Sequence, residues 1–284
     1  MKLLEARLES SHNLFFAGDD HEGSKHSSQS AFLEFLGMVK APYMGCANNY
    51  VVSTGDQLEA ITVGDPRYAK DKLNDPLPLA QLKRAIAKRK EIANKHLVVL
   101  EGNHCAKLWH FGNLAEELAN GLGCAFGTYT CKLSIKDKWR RLMYKVFATH
   151  GSGTIRSVAD DPIRREANMR LSLKRKMMHK AGDCAVMVMG HSHRLMVTPP
   201  QHSLYLTDDG ERIRQHYTGY EQNAPYIHPD ARWYGNSGSF CRLYVEGESG
   251  YAERAGYDPM ELGFLILRVR DKKIVGLDPI YLGV

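Results

Sequence analysis

The residues best suited to chemistry in this chain of 284 residues stand in five short patterns. These are Asp19-Asp20-His21, Gly55-Asp56, Gly102-Asn103-His104, a lone His150, and Gly190-His191-Ser192-His193. Carboxylates, imidazoles and an amide oxygen together form a donor set for divalent cations. Imidazole suits Mn, Fe, Ni or Zn better than Mg, which prefers oxygen shells. Two such cations about 3.5–4 Å apart can clamp both the attacking and the leaving oxygen of an in-line phosphoryl displacement. His191 and His193, two residues apart in a loop at a strand end, can point into one site while Ser192 points aside. The glycines before Asp56, Asn103 and His191 let the backbone turn sharply and approach closely.

Each pattern needs an element to position it, and each follows a short apolar run. Leu14-Phe15-Phe16-Ala17 precedes Asp19, Tyr50-Val51-Val52 precedes Asp56, and Leu97-Val98-Val99-Leu100 precedes Asn103. Tyr144 to Thr149 precedes His150, and Ala185 to Met189 precedes His191. Such runs, rich in β-branched and aromatic residues and closed by glycine, read as buried strands. In layered α/β folds ligands gather at the carboxyl ends of such strands. Helices are predicted from Asp75-Pro76 with Leu79, Leu82, Ile86 and Ala93 on one face, from Leu108 to Leu122, and from Asp161-Pro162 to Gly182. Hairpins are predicted at 204–214, around Asp209-Gly210, and at 264–277. With no linker or repeat, and with the polar strand ends needing to converge, one domain is expected over 1–284. Its motifs fall within 12–195, and 196–284 completes the second sheet and the substrate-side loops.

In this order the patterns resemble the calcineurin-like metallophosphoesterase superfamily, over roughly residues 12–195. The resemblance implies an α/β fold, a four-layer sandwich of two mixed sheets face to face with helices outside. It implies that Asp19, His21 and His193 hold one divalent cation, that Asn103, His150 and His191 hold another, and that Asp56 bridges them. Mn2+ is the first expectation for both, with Fe, Ni or Zn as alternatives. A metal-bridging hydroxide would be the nucleophile and His104, a non-ligand, the general acid. Glu59 stands where protein phosphatases of the superfamily have an Asp behind that histidine. Ala60 replaces their phosphate-binding Arg, and Cys105 follows His104. These departures point away from a protein phosphatase and towards the phosphodiesterase and nuclease branches. A phosphomonoesterase and a catalytically silent metal-binding scaffold are the alternatives.

Composition sets broader bounds. With 43% hydrophobic and 25% charged residues the chain reads as globular. No apolar window reaches the ~18 residues of a membrane span. The charged N-terminus and six scattered cysteines suggest a cytoplasmic protein with reduced thiols and no membrane partner. The formal charge of +6 suits an anionic partner such as a phosphoester. Residues 156–180 concentrate it, with eight Lys and Arg against three carboxylates. This stretch reads either as a track for nucleic acid or as a solvated helix face above Ile163, Ala167, Leu171 and Met178. His26, in the loop after the first donors, is a candidate substrate contact. Tyr217, Tyr220, Tyr226, Trp233 and Tyr234 read as packing or as a substrate wall. The oligomeric state has no signal in the sequence.

Overall fold

Alternation along the predicted strands sends successive side chains to opposite faces, so each buried strand supplies two cores. A computed structural model describes residues 1–65, 68, 73–219, 221–247, 249, 251–254 and 256–283. Numbered in chain order, its first sheet runs β1 (Lys2–Arg7), β6 (Thr130–Lys136), β7 (Leu142–Thr149), β8 (Val186–Met189), β12 (Trp233–Ser237) and β9 (Leu195–Thr198). The second runs β14 (Lys273–Leu282), β13 (Leu262–Arg270), β2 (His12–Ala17), β3 (Asn49–Ser53), β4 (His96–Val99) and β5 (Ala125–Phe126). Both sheets are mixed. β2 to β5 are mutually parallel, as are β7, β8 and β12, while β13 and β9 run antiparallel to their inner neighbours. The tail after residue 195 thus feeds both sheets. Its hairpin of β10 (Leu204–Asp208) and β11 (Ile213–Tyr217) stands apart as a two-stranded sheet.

Leu14, Phe16, Val52 and Val98 of one sheet meet Val146, Ala148, Val186 and Val188 of the other in the central core. Their alternates face outward. Phe15 and Val51 pack beneath α1 (Gln29–Lys40), and Val99 beneath α2 (Pro78–Arg89) and α4 (Leu114–Leu122). Phe147, Met187 and Met189 pack beneath α5 (Pro162–Met177). The architecture is therefore α/β, two sheets face to face with helices outside, each large core side chain contributing about 1.5–3 kcal/mol by its burial.

The helices depart from the sequence reading in detail. α2 starts at Pro78, and Leu79 is 59% exposed while Ala85 takes the buried position. The stretch from Leu108 is broken, because α3 (Asn103–Ala106) and a 3-10 turn at Trp109–Phe111 precede α4. Asn113 caps α4, accepting from the Glu116 amide, and Gly123 ends it in the left-handed region. α5, capped by Asp161, stops at Met177, so Arg156 and Lys180 lie outside it. It rests on Leu173 and Met177, whereas Ile163 is 80% exposed. Tyr234 is buried in the core under α5, Tyr217 and Tyr226 are exposed, and Tyr220 lies outside the described residues. Among the described residues no helix is long and apolar enough to cross a membrane.

Candidate metal centre

The parallel order of β2, β3 and β4, and of β7 and β8, brings five carboxyl ends to one edge of the sandwich. Asp19 follows β2, Asp56 follows β3, Asn103 opens α3 beyond β4, His150 follows β7, and His191 and His193 follow β8. Main-chain bonds lock the loops to each other. The Asp19 amide donates to the Gly55 carbonyl at 2.9 Å, and the His21 amide to that of Asp56 at 3.1 Å. Side chains then tie the sheets together. The His191 amide donates to Asp19 Oδ2 at 2.9 Å, and His150 Nδ1 donates to the Thr54 carbonyl at 2.9 Å.

All seven sequence-predicted donors converge here. One cluster comprises Asp19, His21 and His193, and another Asp56, His150 and His191, each with donor atoms within 4.8 Å of one another. Asn103 Oδ1 lies between the two imidazoles of the second, 3.0 Å from His150 Nε2 and 2.8 Å from His191 Nδ1. Asp56 Oδ2 is 3.2 Å from His150 Nε2, and its Oδ1 accepts the His104 amide at 2.9 Å. In the first cluster His193 Nε2 stands 3.4 Å from Asp19 Oδ1, close enough for attraction but not aligned as a hydrogen bond.

Among the described residues, two buried atoms in this cluster, Asp19 Oδ1 and His21 Nε2, have no hydrogen-bond partner. An unsatisfied buried polar atom typically costs about 1–3 kcal/mol, so a carboxylate oxygen and an imidazole nitrogen left this way in one cluster are donors that suit a cation. The tautomers agree with that reading. A carbonyl only accepts, so His150 Nδ1 carries hydrogen and turns Nε2 towards Asp56 and Asn103. His21 Nδ1 lies 2.8 Å from Glu59 Oε2, which leaves its Nε2 as the donor atom. Carboxylate behind imidazole behind cation is the usual way a ligating histidine is oriented. The Glu59 carboxylate therefore backs His21, and stands 3.9 Å from His104 Nδ1. Its main-chain carbonyl holds His104, accepting from Nδ1 at 2.5 Å. One residue thus braces two imidazoles.

The buried charges of the cluster shift one another. Burial opposes charge on His21, but Glu59, Asp56 and Asp19 push it up to about 9. Burial likewise opposes charge on His150, and Asp56 outweighs it, again to about 9. Burial favours neutral Asp56, yet His150 and His104 hold it below the usual carboxylate range. His191 goes the other way, lowered by burial and by the neighbouring His150. Protons on His21 and His150 thus stand where cationic charge is wanted, and a cation must displace them to bind. Cys105 is buried with its thiol pushed well up, first by burial and then by Asp56, so it is no nucleophile at neutral pH.

The backbone is strained to make this geometry. Asp19, His21, Asp56, His191 and His193 all have positive φ, at 53°, 47°, 50°, 69° and 56°. Such conformations cost of the order of 1–3 kcal/mol each for non-glycine residues and concentrate at functional sites. The glycines serve close approach to the carboxylates and rings. A Cβ on Gly102 would lie 2.0 Å from Asp56 Oδ1, and one on Gly55, at φ +106°, 2.4 Å from His150 Nδ1.

Sequence reasoning missed the bracing residues. Arg89 is 3% exposed and donates to Asp20 Oδ2 at 2.6 Å, pinning the first donor loop to α2. The Asp-Asp-His triplet offered a signal, since the second carboxylate had no assigned partner. Thr54 and Ser239 act through main chain and hydroxyl. Ser239 Oγ donates to the Asp19 carbonyl at 2.8 Å, a contact across 220 residues that no local pattern announces. His104 and His26 line the cavity of about 480 Å3 that opens over the cluster. Compared with known proteins, the chain matches no protein-family model and no curated protein.

Proposed function

We propose that the protein is a metallophosphoesterase of the calcineurin-like kind that hydrolyses a phosphodiester of a nucleotide or nucleic acid. The observation that carries this reading is the cluster of seven O and N donors in which Asp19 Oδ1 and His21 Nε2 are buried without partners. Asp19, His21 and His193 would hold one divalent cation, and Asn103, His150 and His191 a second, with Asp56 shared. Imidazole-rich shells favour Mn2+, with Fe, Ni or Zn able to replace it. When bound, the cations supply charge neutralisation at the phosphoryl oxygens and lower the pKa of water.

The chain's own contribution centres on His104. Because its Nδ1 hydrogen bonds to the Glu59 carbonyl, the second proton resides on Nε2, the atom that would protonate the leaving oxygen. The Asp56 carboxylate accepts the His104 amide and fixes that imidazole relative to the donors. A diester is favoured over a monoester because the cavity extends from the donors to apolar walls at Ile61, Leu243 and Met260, room for a second ester group. The test is hydrolysis of bis-p-nitrophenyl phosphate against p-nitrophenyl phosphate with Mn, Ni, Fe and Zn supplied in turn. Faster turnover of the diester is expected. Background rates with every metal would leave a silent metal-binding scaffold as the better reading.

A further inference from the structure

Three arginines from separate stretches of the chain line the cavity over the donor cluster: Arg156, Arg194 and Arg242. None belongs to the donor set. Arg156 lies in the loop between His150 and α5, Arg194 directly follows His193, and Arg242 follows β12. The Arg242 backbone is pinned by His26, whose carbonyl accepts its amide at 2.8 Å and whose Nδ1 donates to its carbonyl at 3.1 Å. Arg194 Nε is buried, with no hydrogen-bond partner among the described residues. Among the described residues its one ion-pair neighbour is Asp258, at 3.9 Å and with a side chain 86% exposed. Among the described residues the guanidinium groups of Arg156 and Arg242 have neither an ion pair nor a hydrogen bond.

The rest of the basic 156–180 stretch behaves differently. Lys174 pairs with Asp230 and Arg170 with Glu166, while Arg165 and Lys176 donate to main-chain carbonyls. Much of that charge is therefore committed within the fold, and Arg156 is the member that reaches the cavity. Three arginines lining one cavity concentrate positive charge there, which an anionic ligand would offset. A single phosphoester brings one phosphate, which the cations and His104 would already engage. Guanidinium matches phosphate with paired N–H donors.

Resting on the hydrolytic reading above, we propose that Arg156, Arg194 and Arg242 bind the phosphates flanking the scissile one, so that the substrate is a nucleic-acid strand. The shared chemistry, several phosphates in series, also exists in a nucleoside triphosphate, and the test separates the two. Metal-loaded full-length protein is given bis-p-nitrophenyl phosphate, a nucleoside triphosphate and a short single-stranded deoxyoligonucleotide. Arg156→Gln and Arg242→Gln, both at exposed positions, are each expected to lower the oligonucleotide-to-bis-p-nitrophenyl phosphate ratio of kcat/KM by about tenfold or more. Most of that loss is expected in KM. Each should also reduce the slope of log affinity against log salt by about one. Equal loss on both substrates, no loss on the oligonucleotide, or arginine-dependent preference for the triphosphate would each overturn the assignment.

Anisotropy of a labelled oligonucleotide keeps this result apart from that of the hydrolytic reading. Arg-dependent binding without hydrolysis of any ester would sink the hydrolytic reading and reduce this one to a strand-binding role for the three arginines. Diester hydrolysis with oligonucleotide binding unaltered by both substitutions would sink this one alone.

Discussion

The two ends of the central strands are built in opposite ways. Where β2 and β3 begin, buried polar groups satisfy one another. His12 Nδ1 donates to the Glu9 carbonyl at 2.6 Å, and its Nε2 is 2.6 Å from the Tyr144 hydroxyl. Asn13 bonds Asn49 at 2.8 Å and accepts from Arg270 at 2.9 Å, and Asn49 donates to the Ala41 carbonyl at 2.6 Å. Where the same strands finish, Asp19 and Asp56 sit at positive φ, and Asp19 Oδ1 and His21 Nε2 lack partners. His96, which opens β4, is the exception at the first end, with both ring nitrogens unpartnered. It differs in chemistry as well: burial pushes it down to about 3, so it stays neutral and sits apart from any carboxylate cluster. The difference teaches that burial of polar groups alone does not mark a site. The mark is burial combined with strain, opposite charges and missing partners.

The sharpest way to break the comparison is to remove its most shared donor. Asp56→Ala is expected to abolish measurable turnover and to cut metal content, read by elemental analysis of the folded variant. His104→Asn should leave metal content intact while lowering kcat by about 10²–10⁴-fold, the usual worth of a positioned general acid. Loss of metal in step with activity would instead make His104 a ligand. Glu59→Gln, which weakens the brace behind His21, is expected to cost about 10–100-fold in metal affinity by competition with a chelator. An unchanged affinity would show that the Glu59 carboxylate orients nothing.

The opposite end should respond in stability rather than in metal. Asn49→Ala removes the side-chain donor to the Val39 and Ala41 carbonyls and the acceptor of the shortest Asn13 Nδ2 hydrogen bond. Such losses cost about 1–3 kcal/mol of unfolding free energy, measured in urea, with metal content unchanged. The same end should also respond to pH. His12, lowered to about 4, and His96, lowered to about 3, both by burial first, are neutral in the fold and ionise near 6.5 when unfolded. The unfolded chain therefore binds more protons below that value. This stability is present above pH 6.5 and declines as pH falls towards 4, by up to about 1.4 kcal/mol per pH unit for each histidine. His12→Gln should flatten the slope in that window, and an unaltered slope would remove His12 from the account.

Much of this was legible in the sequence because the signals were local. Phe15 and Phe16 face different cores, as strand alternation requires, and glycine punctuation marked the donor loops. What lay hidden depended on distant contacts. Close approach at Gly102 was expected, but the group it leaves room for, the Asp56 carboxylate 46 positions earlier in the chain, was not. Glu59 lies beside His21 and His104, and only tertiary geometry divides the work of its carboxylate from that of its carbonyl. The positive φ of five donors has no sequence signature at Asp or His, and Ile163 and Leu171 follow a helical stripe that α5 leaves exposed. Arg194 and Arg242 were invisible as a pair because the chain between them makes β9, the separate hairpin and β12 before it returns to the cavity.

The central claim is that the finishing ends of these strands form a two-cation site. Its most direct test is the metal stoichiometry of the full-length protein after loading with Mn2+ and removal of free ion. Two cations per chain are expected, falling to one or none when His191 is replaced by Ala. A wild-type chain that retains no cation, or a stoichiometry indifferent to His191, would contradict the account.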